Sequence, residues 1–183
     1  MANIGVVGIG LIGGSIAKTL PSEVIVWDSN EQSVAEARAL GIQTATSLDD
    51  LVNTVDLLVI AVPFTAFDSV FEGVQVAAAK REKPILVTNV LSVMKPVEVN
   101  EPNVHFVASH PMAGTEHSGF DAAKSDLFAG ATWVIEKSRP ELEALVAKLG
   151  AKPVVMPAEL HNEAVARISH LPHVLAAAQL LAT

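Results

Sequence analysis

The sequence predicts an α/β fold, with a doubly wound, mostly parallel sheet covered by helices on both faces. Short apolar runs of strand length alternate with segments of helical periodicity, which is the pattern of β-α-β units. Hydrophobic residues make up 50% of the chain and aromatic residues only 4%. We therefore expect a core of Val, Ile, Leu and Ala, as in sheets buried on both faces. A glycine-rich turn after the first apolar run completes the pattern.

The elements follow in order along the chain. Five apolar runs predict buried strands, at residues 4–7, 24–27, 57–61, 85–88 and 104–108. Two shorter runs, at 133–135 and 153–155, predict strands near the edge of the sheet. The predicted helices between them are residues 11–20, 31–40, 48–53, 66–79 and 140–149.

The character of the chain changes at its carboxyl end. From Ala158 onward the pattern is helical and apolar on nearly all sides, and such a helix needs to be covered. We expect residues 1–156 to form the α/β domain. Residues 157–183 are expected to form a long helix that leads into a second, helical domain, inside which the chain stops.

Composition excludes several classes of function. The net charge is -8, and the basic residues are scattered singly, which argues against nucleic acid and anionic lipid as partners. The chain has no cysteine, so it has neither disulfides nor thiolate metal sites. No apolar stretch approaches the roughly 20 residues of a membrane span, and no secretion signal is recognisable. We expect a cytoplasmic protein.

The glycine turn has the spacing G-x-G-x-x-G, formed by Gly8, Gly10 and Gly13 between a predicted strand and helix. In a Rossmann-like fold these glycines allow a tight turn, close approach of a pyrophosphate, and packing of helix on strand. The backbone at Leu11 and Ile12 then begins the helix, where free N–H groups favour anions. We predict a dinucleotide site at this turn.

Asp28 ends the second predicted strand, 20 residues after Gly8. This is the expected place for a carboxylate that binds the adenosine ribose hydroxyls. Ser29 follows it and no arginine does, so we predict NAD rather than NADP as the cofactor. The alternative is that Asp28 only caps the next helix.

Two further segments fall at the carboxyl ends of predicted strands, where ligands bind in open α/β sheets. Val62 and Pro63 follow the third strand, and Val90 and Ser92 follow the fourth. Pro63 has a second interpretation, as a residue that only ends the strand.

His110 ends the fifth predicted strand, in the segment Ser-His-Pro. Histidine is suited to accept a proton while an alcohol loses hydride to a nicotinamide. The alternative is a buried structural histidine. His170 and His173 are three residues apart, on one face of a helix that Pro172 interrupts. No zinc-like spacing accompanies them, and we predict no metal site.

Four segments together resemble the prephenate/arogenate dehydrogenases of tyrosine biosynthesis. They are Gly8 to Ser15, Ser109 to Glu116, Leu127-Phe128 and Ile168 to His173. The resemblance implies oxidative decarboxylation of prephenate to 4-hydroxyphenylpyruvate, or of arogenate to tyrosine, with NAD as the hydride acceptor. It implies that His110 is the catalytic histidine and that Ser92 orients hydroxyl, histidine and nicotinamide.

The same resemblance assigns a substrate side and a partner. Thr115 and Glu116 match pocket residues, and His170 and His173 match the wall on the substrate side. In the family the chain continues into a helical dimerisation domain, which supplies an arginine for a substrate carboxylate. We therefore expect a homodimer formed through the carboxyl-terminal helical region.

Some positions depart from the family's pattern. Asn89 and Asn162 stand where the family has acids, and Leu91 and Met94 replace a common Gly and Lys. These replacements would loosen the loop that carries Ser92. 

Two other functions stay open from the sequence. One is a different NAD(P)-dependent hydroxy-acid dehydrogenase of this architecture, although its expected lysine base is missing from the last helix. The other is a non-catalytic NAD-sensing module.

Arg167 is the only arginine near the proposed substrate wall, and Glu163 is its expected partner. We therefore expect a chain that binds NAD and turns over substrate poorly.

Overall fold

The computed structural model describes residues 3–181 and is built on a six-stranded parallel sheet. The strands lie in the order β3-β2-β1-β4-β5-β6. They are β1 (Ile4–Val7), β2 (Val24–Trp27), β3 (Gln43–Thr44), β4 (Leu57–Ile60), β5 (Ile85–Asn89) and β6 (Val104–Val107). The chain winds outward from β1 to β3, then returns to β4 on the other side of β1. The predicted doubly wound fold is confirmed, and the two-residue β3 is an addition to it.

Helices cover both faces of this sheet. They are α1 (Leu11–Thr19), α2 (Glu31–Ala39), α3 (Leu48–Thr54), α4 (Phe64–Ala78) and α5 (Pro140–Lys148). Successive residues of β4 alternate between two cores, since Val59 packs with residues of α1 and α5 whereas Leu58 and Ile60 pack with residues of α3 and α4. Burial on both faces explains the unbroken apolar strands.

Local signals set where two of these helices begin. The side chain of Asn30 accepts hydrogen bonds from the backbone N–H groups of Gln32 and Ser33, at 2.9 and 3.4 Å. Ser47 accepts from the N–H of Asp50 at 3.0 Å. Each cap satisfies backbone donors that have no partner inside the helix. Since Asn30 is the N-cap of α2, the alternative prediction that Asp28 caps this helix is wrong.

The last three strands form a second sheet. They are β7 (Ser109–Pro111), β8 (Thr132–Ile135) and β9 (Lys152–Val155), with β7 antiparallel to β8 and β8 parallel to β9. The prediction that 133–135 and 153–155 lie at the edge of the main sheet is therefore wrong. So is the placing of His110 at the end of the fifth predicted strand, because it is the middle residue of β7.

Buried polar contacts explain why the chain changes sheets at Ser109. Its hydroxyl donates to the backbone oxygen of Asn89 at 2.7 Å and accepts from Thr88 Oγ1 at 2.9 Å and Trp133 Nε1 at 3.0 Å. Its N–H bonds to the side chain of Asn89 instead of a backbone oxygen of β5. The ladder to β5 therefore ends here, and β7 is free to pair with β8.

The carboxyl-terminal segment is not one regular helix. It consists of α6 (Ala158–Val165), a π-helical turn (Ala166–His170) and α7 (Leu171–Leu181). Pro172 lies in the first turn of α7, where its missing N–H costs little. The interruption predicted at this proline is confirmed. Within the described residues no helix is long and apolar enough to cross a membrane. The domain boundary after residue 156 stays a prediction.

The glycine turn gives a test of this packing. A Cβ on Gly13 would lie 1.9 Å from the backbone oxygen of Gly8, whereas a Cβ on Gly10 would meet nothing within 4 Å. We expect Gly13→Ala to lower the free energy of unfolding by about 1–3 kcal/mol or more, because a backbone must move. Gly10→Ala should change it by less than about 0.5 kcal/mol. Urea unfolding of both variants measures this, and equal stabilities would contradict the packing described.

Candidate active site

A cleft opens at the carboxyl ends of β1, β2 and β4, where the strand order reverses. Its volume is about 250 Å³. Six predicted cofactor-binding residues line it, namely Gly8, Gly10, Asp28, Ser29, Val62 and Pro63. Pro63 is also the residue that precedes α4, so it both ends the connection from β4 and forms part of the wall. This is the place where open α/β sheets bind ligands.

The glycine turn has the shape that a dinucleotide needs. Gly8 has φ of +92°, and a Cβ there would lie 2.5 Å from the backbone oxygen of Ala61. Gly10 caps α1 without a side chain, and the space where its Cβ would lie is open. Nothing in the protein requires glycine at position 10, whereas a phosphate lying on the helix N-terminus would. The residues present therefore fit a pyrophosphate.

The carboxylate of Asp28 is tied to the turn. One oxygen accepts from the N–H of Ile9 at 2.6 Å and the other from the N–H of Asn30 at 2.8 Å. These bonds hold Asp28 at the edge of the cleft. Each carboxylate oxygen can accept a further hydrogen bond, so the group retains capacity for the hydroxyls of a ribose.

The other predicted cofactor residues lie at or behind the turn. Leu11 and Ile12 form the first turn of α1 and are half-buried. Gly13 is buried beneath Gly8 and allows the helix to approach the strand. Val90 is half-buried against the core on the α1 side of the sheet. These four residues shape the turn and its surroundings.

His110 is half-buried on β7 and contacts a second histidine, His161 of α6. The Nδ1 of His110 and the Nε2 of His161 are 3.0 Å apart, and the two rings are nearly perpendicular at 89°. His161 is only 1% exposed. His161 is not among the site residues predicted from the sequence. Its spacing of four from Val165, which is also buried, was the signal that it belongs to the inner face of α6.

The surroundings of His110 favour its neutral form. Its pKa is lowered from 6.5 to about 4, mainly by burial and in addition by like-charge repulsion from the neighbouring His161 and His170. A histidine with this pKa is uncharged at neutral pH and can accept a proton. The structure therefore places His110 and His170 within electrostatic reach of each other, although His170 itself is exposed.

Asn162 joins α6 to the loop after β5. Its Oδ1 accepts from the N–H of Met94 at 2.9 Å, and its Nδ2 donates to the backbone oxygen of Met94 at 2.8 Å. Met94 follows Ser92 by two residues. Asn162 and Met94 are two of the replacements that were expected to loosen the serine loop. They hold this loop to α6 instead, so that expectation is wrong for these two positions. Asn89 is also buried, and its Nδ2 has no hydrogen-bond partner.

The remaining predicted site residues are not joined to His110 by hydrogen bonds within residues 3–181. Ser92 is exposed in the loop after β5. Thr115 and Glu116 are exposed and interact with His117 beside them. His173 bonds to the backbone oxygen of Ser169 at 3.1 Å and is exposed.

Arg167 pairs with Glu163 at 2.6 Å on the surface, as predicted from the sequence. In the described part of the chain, no three His, Cys, Asp or Glu side chains meet as a metal site would require.

Comparison with known proteins agrees with this geometry. The family described as "Prephenate dehydrogenase, nucleotide-binding domain" matches residues 13–151. A prephenate dehydrogenase of Lactococcus lactis is 30% identical over 96% of this chain and 52% of its own length. A cyclohexadienyl dehydrogenase of Zymomonas mobilis is 32% identical over 95% of this chain and 64% of its own length. The chain thus spans about half to two thirds of these curated relatives.

A solved structure is also similar over nearly the whole chain. Prephenate dehydrogenase from Aquifex aeolicus, in complex with hydroxyphenyl propionate and NAD+, superposes with a TM-score of 0.82 at 25% identity. The match covers 98% of this chain and 68% of that one. With the family match over residues 13–151, the chain belongs to the family of prephenate dehydrogenase nucleotide-binding domains.

Proposed function

We propose that this chain is the NAD-binding part of a dehydrogenase that oxidises and decarboxylates prephenate or arogenate in tyrosine biosynthesis. The observation that carries the proposal is His110, a half-buried histidine on β7, the strand that directly follows β6 of the main sheet, where it contacts His161 and where burial favours its neutral form. Of the alternatives, a lysine-based hydroxy-acid dehydrogenase lacks support, because the groups that α6 and the π-helical turn bring to His110 are His161 and His170.

NAD is the proposed cofactor, and it is held by the cleft of the glycine turn. The N-terminus of α1 at Gly10 and Leu11 binds the pyrophosphate, and Asp28 and Ser29 bind the adenosine ribose. Val62, Pro63 and Val90 line the path from β4 toward β5. When bound, NAD supplies the hydride acceptor. The fixed carboxylate of Asp28 favours a ribose hydroxyl and repels a 2′-phosphate.

The chemistry needs a base that both takes and returns a proton. In the substrate, the ring carbon that bears the hydroxyl loses hydride, and Nε2 of His110 accepts the hydroxyl proton as the carbonyl forms. The bond to the ring carboxylate then breaks, carbon dioxide leaves, and its electron pair makes the ring aromatic. His110 returns its proton to the oxygen, which becomes a phenol. Two electrons leave with the hydride, so the balance is complete.

The substrate side is proposed to lie between the loop after β7 and the carboxyl-terminal helices. Ser92 would orient the hydroxyl toward His110. Thr115 and Glu116 come from one side, and His170 and His173 from the other. His170 already acts electrostatically on His110, which supports this arrangement.

A dicarboxylate substrate also needs a cationic partner once water is excluded. Arg167 is engaged with Glu163 and is exposed. We therefore propose that the 183-residue chain binds NAD and turns over substrate slowly. We also propose a homodimer formed through α7, whose residues are all exposed where the structure describes them.

Cofactor choice can be measured by calorimetry. We expect NAD to bind about tenfold or more tightly than NADP, because Asp28 would face the 2′-phosphate without compensation. The double variant Asp28→Asn with Ser29→Arg keeps an acceptor for the N–H of Ile9 and adds a cation, so it should shift preference toward NADP. Glu31→Gln, on the exposed start of α2, is the control. Equal or tighter NADP binding by the unaltered chain would contradict the assignment.

The role of His110 has two readouts. With a pKa of about 4, the residue stays neutral, so kcat/KM should be nearly constant between about pH 5.5 and 7.5. An ordinary pKa of about 6.5 would instead make kcat/KM fall about tenfold from pH 7.5 to pH 5.5.

His110→Asn should lower kcat by about 10²–10⁴-fold and leave the Kd for NAD unchanged. A variant with near-normal turnover would return His110 to a structural role.

Self-association is tested by sedimentation velocity. Val174 and Leu175 are 64% and 56% exposed on α7, so glutamate at both positions should convert a dimer into a monomer. Val76→Glu, at a 63% exposed position on α4, is a matched control that should leave the dimer intact. An unaltered chain that is monomeric at tens of micromolar would refute the dimer.

A further inference from the structure

A continuous line of hydrogen bonds runs from the loop after β5 to His110. It passes from the backbone of Met94 to Asn162, from Asn162 to His161, and from His161 to His110, with separations of 2.8 to 3.0 Å. We propose that Asn162 and His161 form a positioning relay, which holds the proton of His110 on Nδ1 and leaves Nε2 as the free acceptor.

The first step fixes the amide of Asn162. Its Oδ1 lies 2.9 Å from the N–H of Met94 and its Nδ2 lies 2.8 Å from the backbone oxygen of Met94. The reversed amide would set two donors against each other and two acceptors against each other. The backbone of Met94 therefore determines that Oδ1 faces the N–H side.

The second step fixes the proton of His161. Its Nδ1 lies 3.0 Å from Oδ1 of Asn162, which can only accept. Nδ1 of His161 must therefore carry a proton. In the neutral ring only one nitrogen does so, and Nε2 of His161 is then an acceptor. His161 is 1% exposed, so water cannot easily substitute for either contact.

The third step fixes His110. Its Nδ1 faces the acceptor Nε2 of His161 at 3.0 Å, so Nδ1 must donate. In neutral His110 the lone pair is then on Nε2, which is the nitrogen that faces away from His161. Free imidazole side chains prefer the opposite form, with the proton on Nε2. The relay thus selects the less common tautomer. This inference depends on the proposed function in one respect only, namely that the proton received by Nε2 comes from the substrate hydroxyl.

The relay has the neutral amide of Asn162 at a position where a carboxylate would place a negative charge beside His161. The titratable groups that act on His110 are His161 on α6 and His170 in the π-helical turn. Glu136, at the end of β8, bonds instead to the N–H of Ala108 at 3.4 Å. The amide of Asn162 orients His161 and adds no negative charge beside the two rings. The relay therefore sets the tautomer of His110.

Nitrogen-detected NMR of the histidine rings tests this in the intact chain, without substrate. In the unaltered protein at pH 7 we expect His110 to carry its proton on Nδ1. In His161→Phe, which keeps a ring but removes the acceptor, the proton of His110 should move largely to Nε2. His105→Gln, an exposed histidine on β6, should leave His110 unchanged. A proton on Nε2 in the unaltered protein, or an unchanged tautomer in His161→Phe, would overturn the proposal.

A second variant covers the case in which His161→Phe does not fold. Asn162→Asp places a charge against Nδ1 of His161, so the apparent pKa of the histidine pair should rise by about one to three pH units. The pKa that describes the acid side of the kcat/KM profile should rise by a similar amount. No rise in the NMR titration would contradict the relay. Absence of turnover in the unaltered chain would count against the proposed function alone, because the NMR result does not depend on activity.

Discussion

The contact between His110 and His161 depends on one constraint, the buried hydroxyl of Ser109. Three hydrogen bonds fix this hydroxyl between β5 and the indole of Trp133, and the N–H of Ser109 bonds to the side chain of Asn89, so the parallel ladder of β5 and β6 ends at Val107. Because the chain then joins a second sheet, His110 projects from β7 toward α6 instead of continuing along the edge of the main sheet. A buried serine without these partners would be costly, so the junction has little freedom.

The sequence was sufficient for most of the fold because its signals are local. Alternating apolar runs and the glycine spacing each act within a few residues, and the main sheet follows from them. The second sheet could not be found in this way. It depends on contacts of Ser109 with Thr88 and Trp133, which are 21 and 24 residues away in the chain. The two-residue β3 was missed because it is too short to show a period.

The same difference between local and long-range signals separates the site residues that could be predicted from those that could not. Gly8, Gly10 and Asp28 were predictable because a glycine turn and the end of the next strand have fixed spacing, and the structure places all three around one cleft. His161 was missed because its importance lies in a partner 51 residues away. Asn162 was noted only as a departure from the family's pattern. In the structure it joins α6 to the backbone of Met94, a role that no local pattern indicates.

A crystal structure of this chain with NAD would show whether the neutral His110 and the glycine-turn cleft serve one reaction. We expect the pyrophosphate at Gly10, the ribose at Asp28, and the nicotinamide in contact with a pocket that both Ser92 and Nε2 of His110 face. A nicotinamide bound away from His110, or an Nε2 that is covered by protein while NAD is bound, would contradict this expectation.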